Sequence, residues 1–147
     1  MSPKIYLGGS VRTLQLNNGV KFWAFIFSHC VKAAVNNADE FLATKYDNYW
    51  KMPDKAYNTL QTSYHPDIYV SPELGPNEVV YYMYLIGIMR WMVETGWMYV
   101  CLECSTISSH ADLLQEVHLN QVFHMFVYLQ KYHNTEMVYE PIDPVIE

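Results

Sequence analysis

Four prolines, Pro53, Pro66, Pro72 and Pro76, punctuate the stretch from Tyr46 to Pro76, which is otherwise scattered with Asn, Asp and Ser. Proline removes a backbone donor and breaks helix interiors and central strands, so no long regular element can cross this stretch. A connection of that length is unusual inside a compact domain and more common between structural units. Regular structure is therefore confined to the two sides of the break. With 147 residues, the chain has material for one ordinary domain and not two.

Before the break, Ile5, Leu7 and Val11 begin an apolar strand interrupted by Gly8-Gly9, the pattern of a bulge or a close backbone approach. Asn17-Asn18-Gly19 tolerates positive φ and predicts a tight turn, making residues 4–27 a β-hairpin. Its second half, Val20, Phe22, Trp23, Phe25, Ile26 and Phe27, is too densely aromatic for a solvent-facing strand. Ser28 is placed to cap a helix in which Val31, Ala34, Val35, Ala38, Phe41 and Leu42 recur at helical intervals before it fades near Lys45.

Beyond the break, Pro76 suits the first position of a helix and Glu78 its first turn. Tyr81, Leu85, Ile88, Met89, Met92 and Val93 carry that helix to a stop at Gly96. A second helix is expected over Val100–Ser109. A third is expected to open at Asp112 and to show Val117, Val122, Phe123, Phe126, Val127 and Leu129 on its apolar face, followed by a short terminal strand over Thr135–Tyr139. The fold class that follows is α+β and helix-dominated: a hairpin (1–27), a helix and irregular connection (28–75), and a helical bundle with a short terminal strand (76–147).

Apolar residues at 51% and aromatics at 16% exclude a disordered chain. Nine basic against 15 acidic residues, net −6, exclude a strongly basic nucleic-acid binder. The odd count of 3 cysteines argues against a disulfide scaffold. The first residues show no signal-peptide pattern, and Val79–Val93, interrupted by Gly87 and Arg90, falls short of the roughly 20 apolar residues a span requires. The expectation is an intracellular, cytoplasmic chain with no membrane segment.

Cys101-Leu102-Glu103-Cys104 is the most conspicuous motif. It lacks the second ligand pair of a zinc site and the βαβ context of a redox site, so the pair is expected to be buried packing residues. His118 and His124 lack the four-residue spacing of a metalloprotease pair. Asp39-Glu40 reads as a solvated helix face, Glu136 and Glu140 as strand ends, and Lys32, Lys45, Lys51 and Lys55 as a solvated basic face. No nucleophile–base pair or phosphate-cradling loop is present, so neither a catalytic nor a metal-ligand set is assigned. Tyr81, Tyr82, Tyr84 and Trp91 surround one helix on several faces, which means burial or contact with a partner.

In order, these pieces resemble the end of the palm, the thumb and the region leading to ribonuclease H in copia-type LTR-retrotransposon reverse transcriptases. Tyr6-Leu7-Gly8, Asn18-Gly19-Val20, Trp23 and the helix with Val31, Ala34, Val35 and Asn37 begin the match. Ser71-Pro72-Glu73-Leu74, Tyr81-Tyr82, Leu85-Ile86-Gly87, Arg90-Trp91-Met92-Val93-Glu94, Ser105 and Ser108-Ser109-His110 continue it. His118-Leu119, Val122-Phe123-His124, Tyr128-Leu129 and Lys131-Tyr132-His133-Asn134 complete a set covering roughly residues 4 to 146.

The resemblance implies an RNA-directed DNA polymerase whose magnesium ions are held by a Tyr-x-Asp-Asp pair and a third aspartate. Neither that motif nor any Asp-Asp pair occurs here. Family order places those residues before Met1 and the ribonuclease H carboxylates after Glu147. The expectation is a fragment that is inactive alone and has no cofactor of its own. The hairpin around Asn18, Gly19, Lys21 and Trp23 would be the primer-gripping edge, and Lys32 and Asn36 would lie on a thumb-like helix against an RNA–DNA or DNA duplex. The implied partners are that duplex, held weakly at best at net −6, the missing palm and ribonuclease H regions, a virus-like particle in the intact element, and self-association through exposed aromatics. Trp97-Met98-Tyr99-Val100, Leu113-Leu114-Gln115-Glu116-Val117-His118 and Tyr81-Tyr82-Met83-Tyr84-Leu85 depart from the family's Arg-x-Asp-Ile, Leu-Pro-Arg-Glu-Gly-His and Tyr-Tyr-Gln-Ser-Leu, as in a decayed copy. The alternative is a non-catalytic interaction or structural protein with an aromatic partner-binding surface.

Overall fold

The computed structural model describes residues 4–6, 9–45, 52, 55–62, 64, 71–110 and 113–139. Strand β1 (Lys4–Tyr6) runs antiparallel to β2 (Gly9–Gln15), with Tyr6 opposite Gly9. Of the Gly8-Gly9 pair, Gly9 opens β2 opposite Tyr6 rather than forming a bulge within one strand, and Gly8 lies outside the described residues. β2 pairs with β3 (Lys21–Ile26), Leu14 facing Phe22 and Arg12 facing Ala24. Their turn is closed by Leu16 N–H donating to the Val20 carbonyl at 3.0 Å, with Gly19 at φ 84. That conformation costs glycine nothing and other residues a clash, so the Asn-Asn-Gly reading of the turn holds.

The short terminal strand expected over Thr135–Tyr139 is present as β4 (Met137–Tyr139). It pairs with β3, giving an antiparallel sheet in the order β1-β2-β3-β4 with Trp23 opposite Tyr139 and Phe25 opposite Met137. An Arg12–Glu136 ion pair stands beside this junction.

Helix α1 (Ser28–Lys45) starts one residue earlier than a Ser28 cap would allow: the Phe27 carbonyl accepts the Val31 amide at 3.1 Å, leaving Ser28 at the first helical position. Val31, Ala34, Val35, Ala38 and Leu42 are buried and Phe41 is half-buried, as the spacing predicts. Helix α2 (Pro76–Thr95) has Pro76 at its start, and the Glu78 carboxylate accepts the Gly75 amide at 2.6 Å. It is apolar almost all round, so it buries Tyr82, Leu85, Ile86, Met89 and Met92 while Val80, Met83 and Tyr84 remain exposed. A 3-10 turn (Met98–Val100) leads into α3 (Cys101–Ser108). Helix α4 (Glu116–Lys131) begins after Gln115, later than the Asp112 start expected; Asp112 itself lies outside the described residues. Its beginning is fastened to the approach of α2 by Leu74 N–H to the Leu114 carbonyl at 2.9 Å and Glu116 N–H to the Pro72 carbonyl at 3.0 Å.

The core is helical, with α4 at its centre and α1 and α2 against it. Phe27 joins the sheet to it. Its ring is fully buried and meets Phe25 (centroids 4.4 Å) and Trp91 (5.4 Å) edge-on. A Cβ on Gly9 would fall 2.6 Å from Phe25 Cζ and 3.0 Å from Phe27 Cε1, so the close approach expected of the glycine pair is real at Gly9. Among the described residues, no helix is long and apolar enough to cross a membrane.

Candidate nucleic-acid interface

Strand alternation divides the hairpin. Phe22 and Ala24 are buried, whereas Lys21 and Trp23 point the other way beside Gln15 and Thr13. Trp23 is 54% exposed, which corrects the expectation that this aromatic strand avoids solvent. On that face, among the described residues, Gly9, Phe25 and Met137 lie close to Phe27 and Gly96, while Leu16, Val20 and Trp23 toward the turn are exposed. Asn18 Oδ1 accepts the Val20 amide at 3.1 Å, so its side chain shapes the turn, as Gly19 does through its backbone. Lys21 and Trp23 are left as the cation and ring on display.

Lys32 and Asn36 are four residues apart on the exposed side of α1. The same helix exposes Asp39 and Glu40, the solvated acidic face expected, and Asn37 accepts the Tyr81 hydroxyl at 3.2 Å. Among the described residues, no hydrogen bond or ion pair connects Lys32 or Asn36 with Lys21 or Trp23. The six candidates thus form two groups on successive elements. Lys55 is exposed, while Lys51 and the Lys45 side chain lie outside the described residues.

Among the described residues, no three His, Cys, Asp or Glu side chains gather as a metal site. His118 is buried; its Nδ1 accepts the Gln115 amide at 3.1 Å and its ring stacks on His110 at 5.1 Å. Burial foremost, then the neighbouring His110, lowers its pKa and keeps it neutral. His124 Nε2 lies 2.9 Å from the Asn58 carbonyl. Gln121 accepts the Gln61 amide at 3.2 Å and donates to Gln61 Oε1 at 2.8 Å. The last two hold the irregular segment 55–62 against α4. Sequence reasoning passed over Gln121, although polar residues at 118, 121 and 124 inside an apolar helix form a readable three-residue spacing.

Two further clusters also escaped it. Lys131 Nζ sits 4.5 Å from the Tyr57 ring and 5.2 Å from that of Tyr132, beside a cavity that Lys55 also lines. Between α2 and α3, a cavity of about 430 Å³ is lined by Arg90, Glu94, Cys101, Cys104, Ser105 and Ser108. Cys104 is buried as expected, but Cys101 is exposed because the start of α3 turns it outward. Glu136 is engaged with Arg12, and Glu140 lies outside the described residues. Comparison of the sequence with protein-family models finds no match, and comparisons with curated proteins and with solved structures find none.

Proposed function

We propose that the chain is a non-catalytic portion of a copia-type reverse transcriptase, carrying the primer-gripping hairpin and the thumb-like helix, and that its residual chemistry is weak contact with an RNA–DNA or DNA duplex. One observation carries the reading: Lys21 and Trp23 are presented on a hairpin that passes, through Phe27 alone, into a helix displaying Lys32 and Asn36. A ring stacks on a base and a lysine neutralises a phosphate, so this order of groups suits a nucleic-acid backbone followed along its length.

Two lysines set the strength. Each neutralised phosphate contributes about −0.9 to the slope of log affinity against log salt, so two contacts lose roughly 40-fold between about 20 and 150 mM. A net charge of −6 opposes approach at long range. Fluorescence anisotropy of a labelled hybrid is expected to show binding at the lower salt that the double variant Lys21→Ala/Lys32→Ala removes. Equal binding by that variant, or sub-micromolar affinity at the higher salt, would overturn the reading.

A second reading, a partner-binding protein, is favoured by the exposed Leu16, Val20 and Trp23 at the hairpin and Val80, Met83 and Tyr84 on α2. It predicts concentration-dependent light scattering that falls in Trp23→Ser or Met83→Ser, with no hybrid binding at any salt.

A further inference from the structure

The outward turn of Cys101 leaves the two cysteines unequal, and their surroundings are chemically specific. Cys101 is exposed, Cys104 is buried three residues on, and both open onto one cavity of about 430 Å³. That volume is in the range of small-molecule sites. Arg90 and Glu94, one turn apart on α2, supply a cation and an anion to its wall, and Ser105 and Ser108 add hydroxyls. Among the described residues, Arg90 makes no ion pair.

We propose that this cavity is a thiol–disulfide exchange site for a small zwitterionic peptide disulfide of the glutathione type, with Cys101 as the attacking thiol and Cys104 as the resolving one. Such a ligand brings carboxylates for Arg90, an ammonium for Glu94 and the disulfide itself for Cys101. In the first step the Cys101 thiolate attacks one ligand sulfur. A Cys101–glutathione bond forms, the ligand's S–S bond breaks, and the departing thiolate takes up the proton Cys101 gave to solvent. In the second step the Cys104 thiolate attacks Cys101 Sγ, expelling a second reduced glutathione. The protein dithiol is oxidised to a disulfide and the oxidised ligand is reduced to its two thiols.

Backbone geometry allows the second step. Residues three apart in an α-helix have Cα atoms about 5 Å apart, within the span of disulfides, but their Cβ atoms stand about 1–2 Å too far apart. Cys101 is the first residue of α3, and its amide bonds back to the Met98 carbonyl of the preceding turn rather than within α3. Its backbone is therefore held on one side only, and a dihedral change at the Val100–Cys101 junction closes the excess while the buried Ile107 end of α3 stays in place. Burial raises the Cys104 thiol above its ordinary pKa, with Ser108 and then Arg90 only partly opposing the rise, so Cys104 is the less reactive thiol of the pair and acts second.

The test exposes the reduced 147-residue chain to oxidised glutathione and reads intact mass and peptide maps. The expected product is a Cys101–Cys104 disulfide with no lasting adduct, and in Cys104→Ser a single glutathione adduct on Cys101. Arg90→Ala is expected to slow the reaction about two- to fivefold with glutathione disulfide, the scale of one exposed charge contact, and not with uncharged hydroxyethyl disulfide. Circular dichroism checks that each variant is folded, and the wild-type map stands without them. Half-buried Cys30 is the internal control. Modification of Cys30 ahead of Cys101, a wild-type adduct as lasting as that of Cys104→Ser, or equal slowing of both disulfides by Arg90→Ala would each overturn the proposal.

Discussion

Replacing Phe27 with alanine is expected to be among the costliest single changes in the molecule. The ring is fully buried between the sheet and the helices and meets Phe25 and Trp91 edge-on. Phe→Ala in a core costs about 3–5 kcal/mol, and the figure within that range depends on how far the walls collapse into the void. Here two walls are glycines: a Cβ on Gly9 would lie 3.0 Å from the ring and one on Gly96 3.3 Å. Neither has a side chain to swing inward, so the cavity stays open and the upper half of the range, about 4 kcal/mol, is expected. In urea, with a slope of about 2 kcal/mol per molar, the midpoint falls by about 2 M at unchanged slope. Phe25→Ala, at a half-buried ring, should cost less, and Phe27→Leu gives a milder variant that remains folded. Circular dichroism across the urea transition is the assay. A loss below about 1.5 kcal/mol for Phe27→Ala, or one smaller than that of Phe25→Ala, would mean that Phe27 is not the joint described.

Tyr82 donates a buried hydrogen bond to the Ile107 carbonyl at 2.8 Å, so Tyr82→Phe should cost about 1–2 kcal/mol by thermal or urea melting. Gly19→Ala places a side chain at φ 84 with no neighbour within 4 Å, so a loss of about 1 kcal/mol from backbone strain alone is expected, and Gly19→Asn should recover part of it. His118 has its pKa lowered from 6.5, so the unfolded chain binds that proton first as the solution is acidified. Its contribution to stability is complete above the unfolded pKa and declines below it by at most about 1.4 kcal/mol per pH unit until the folded pKa is passed. Urea midpoints between about pH 7.5 and 5 should show the decline, and His118→Gln should flatten it.

What was legible in the sequence was local. The buried faces of α1 and α4 follow from spacing, because Val31, Ala34, Val35 and Ala38 or Val122, Phe123 and Phe126 have no alternative to a shared stripe. The Asn18-Gly19 turn and the Pro76–Gly96 limits of α2 follow from backbone chemistry at single residues. The unread features were non-local. Nothing in Met137-Val138-Tyr139 says which edge it will join, since any short β-branched and aromatic run accepts any free edge. Trp23 and Phe22 read alike as aromatics on opposite faces of one strand, and local sequence does not say which face is covered. Cys101 and Cys104 are the same residue type on the same helix, so their difference depends on the orientation of α3 against α2.

The pairing of β3 with β4 also sets a timetable. These strands are more than a hundred residues apart in sequence, and β4 leaves the ribosome after all four helices. Until then the β3 edge that β4 will occupy presents unpaired amides and carbonyls next to Trp23 and Phe25, on a chain rich in exposed rings. Closing so distant a contact is slow, because the entropy of the long loop is lost before the pairing compensates for it. During synthesis the nascent hairpin is accordingly a template for any extended segment nearby, including β3 of a neighbouring nascent chain. Yield of folded protein should therefore depend more on the crowding of ribosomes along the message than on the final stability of the fold.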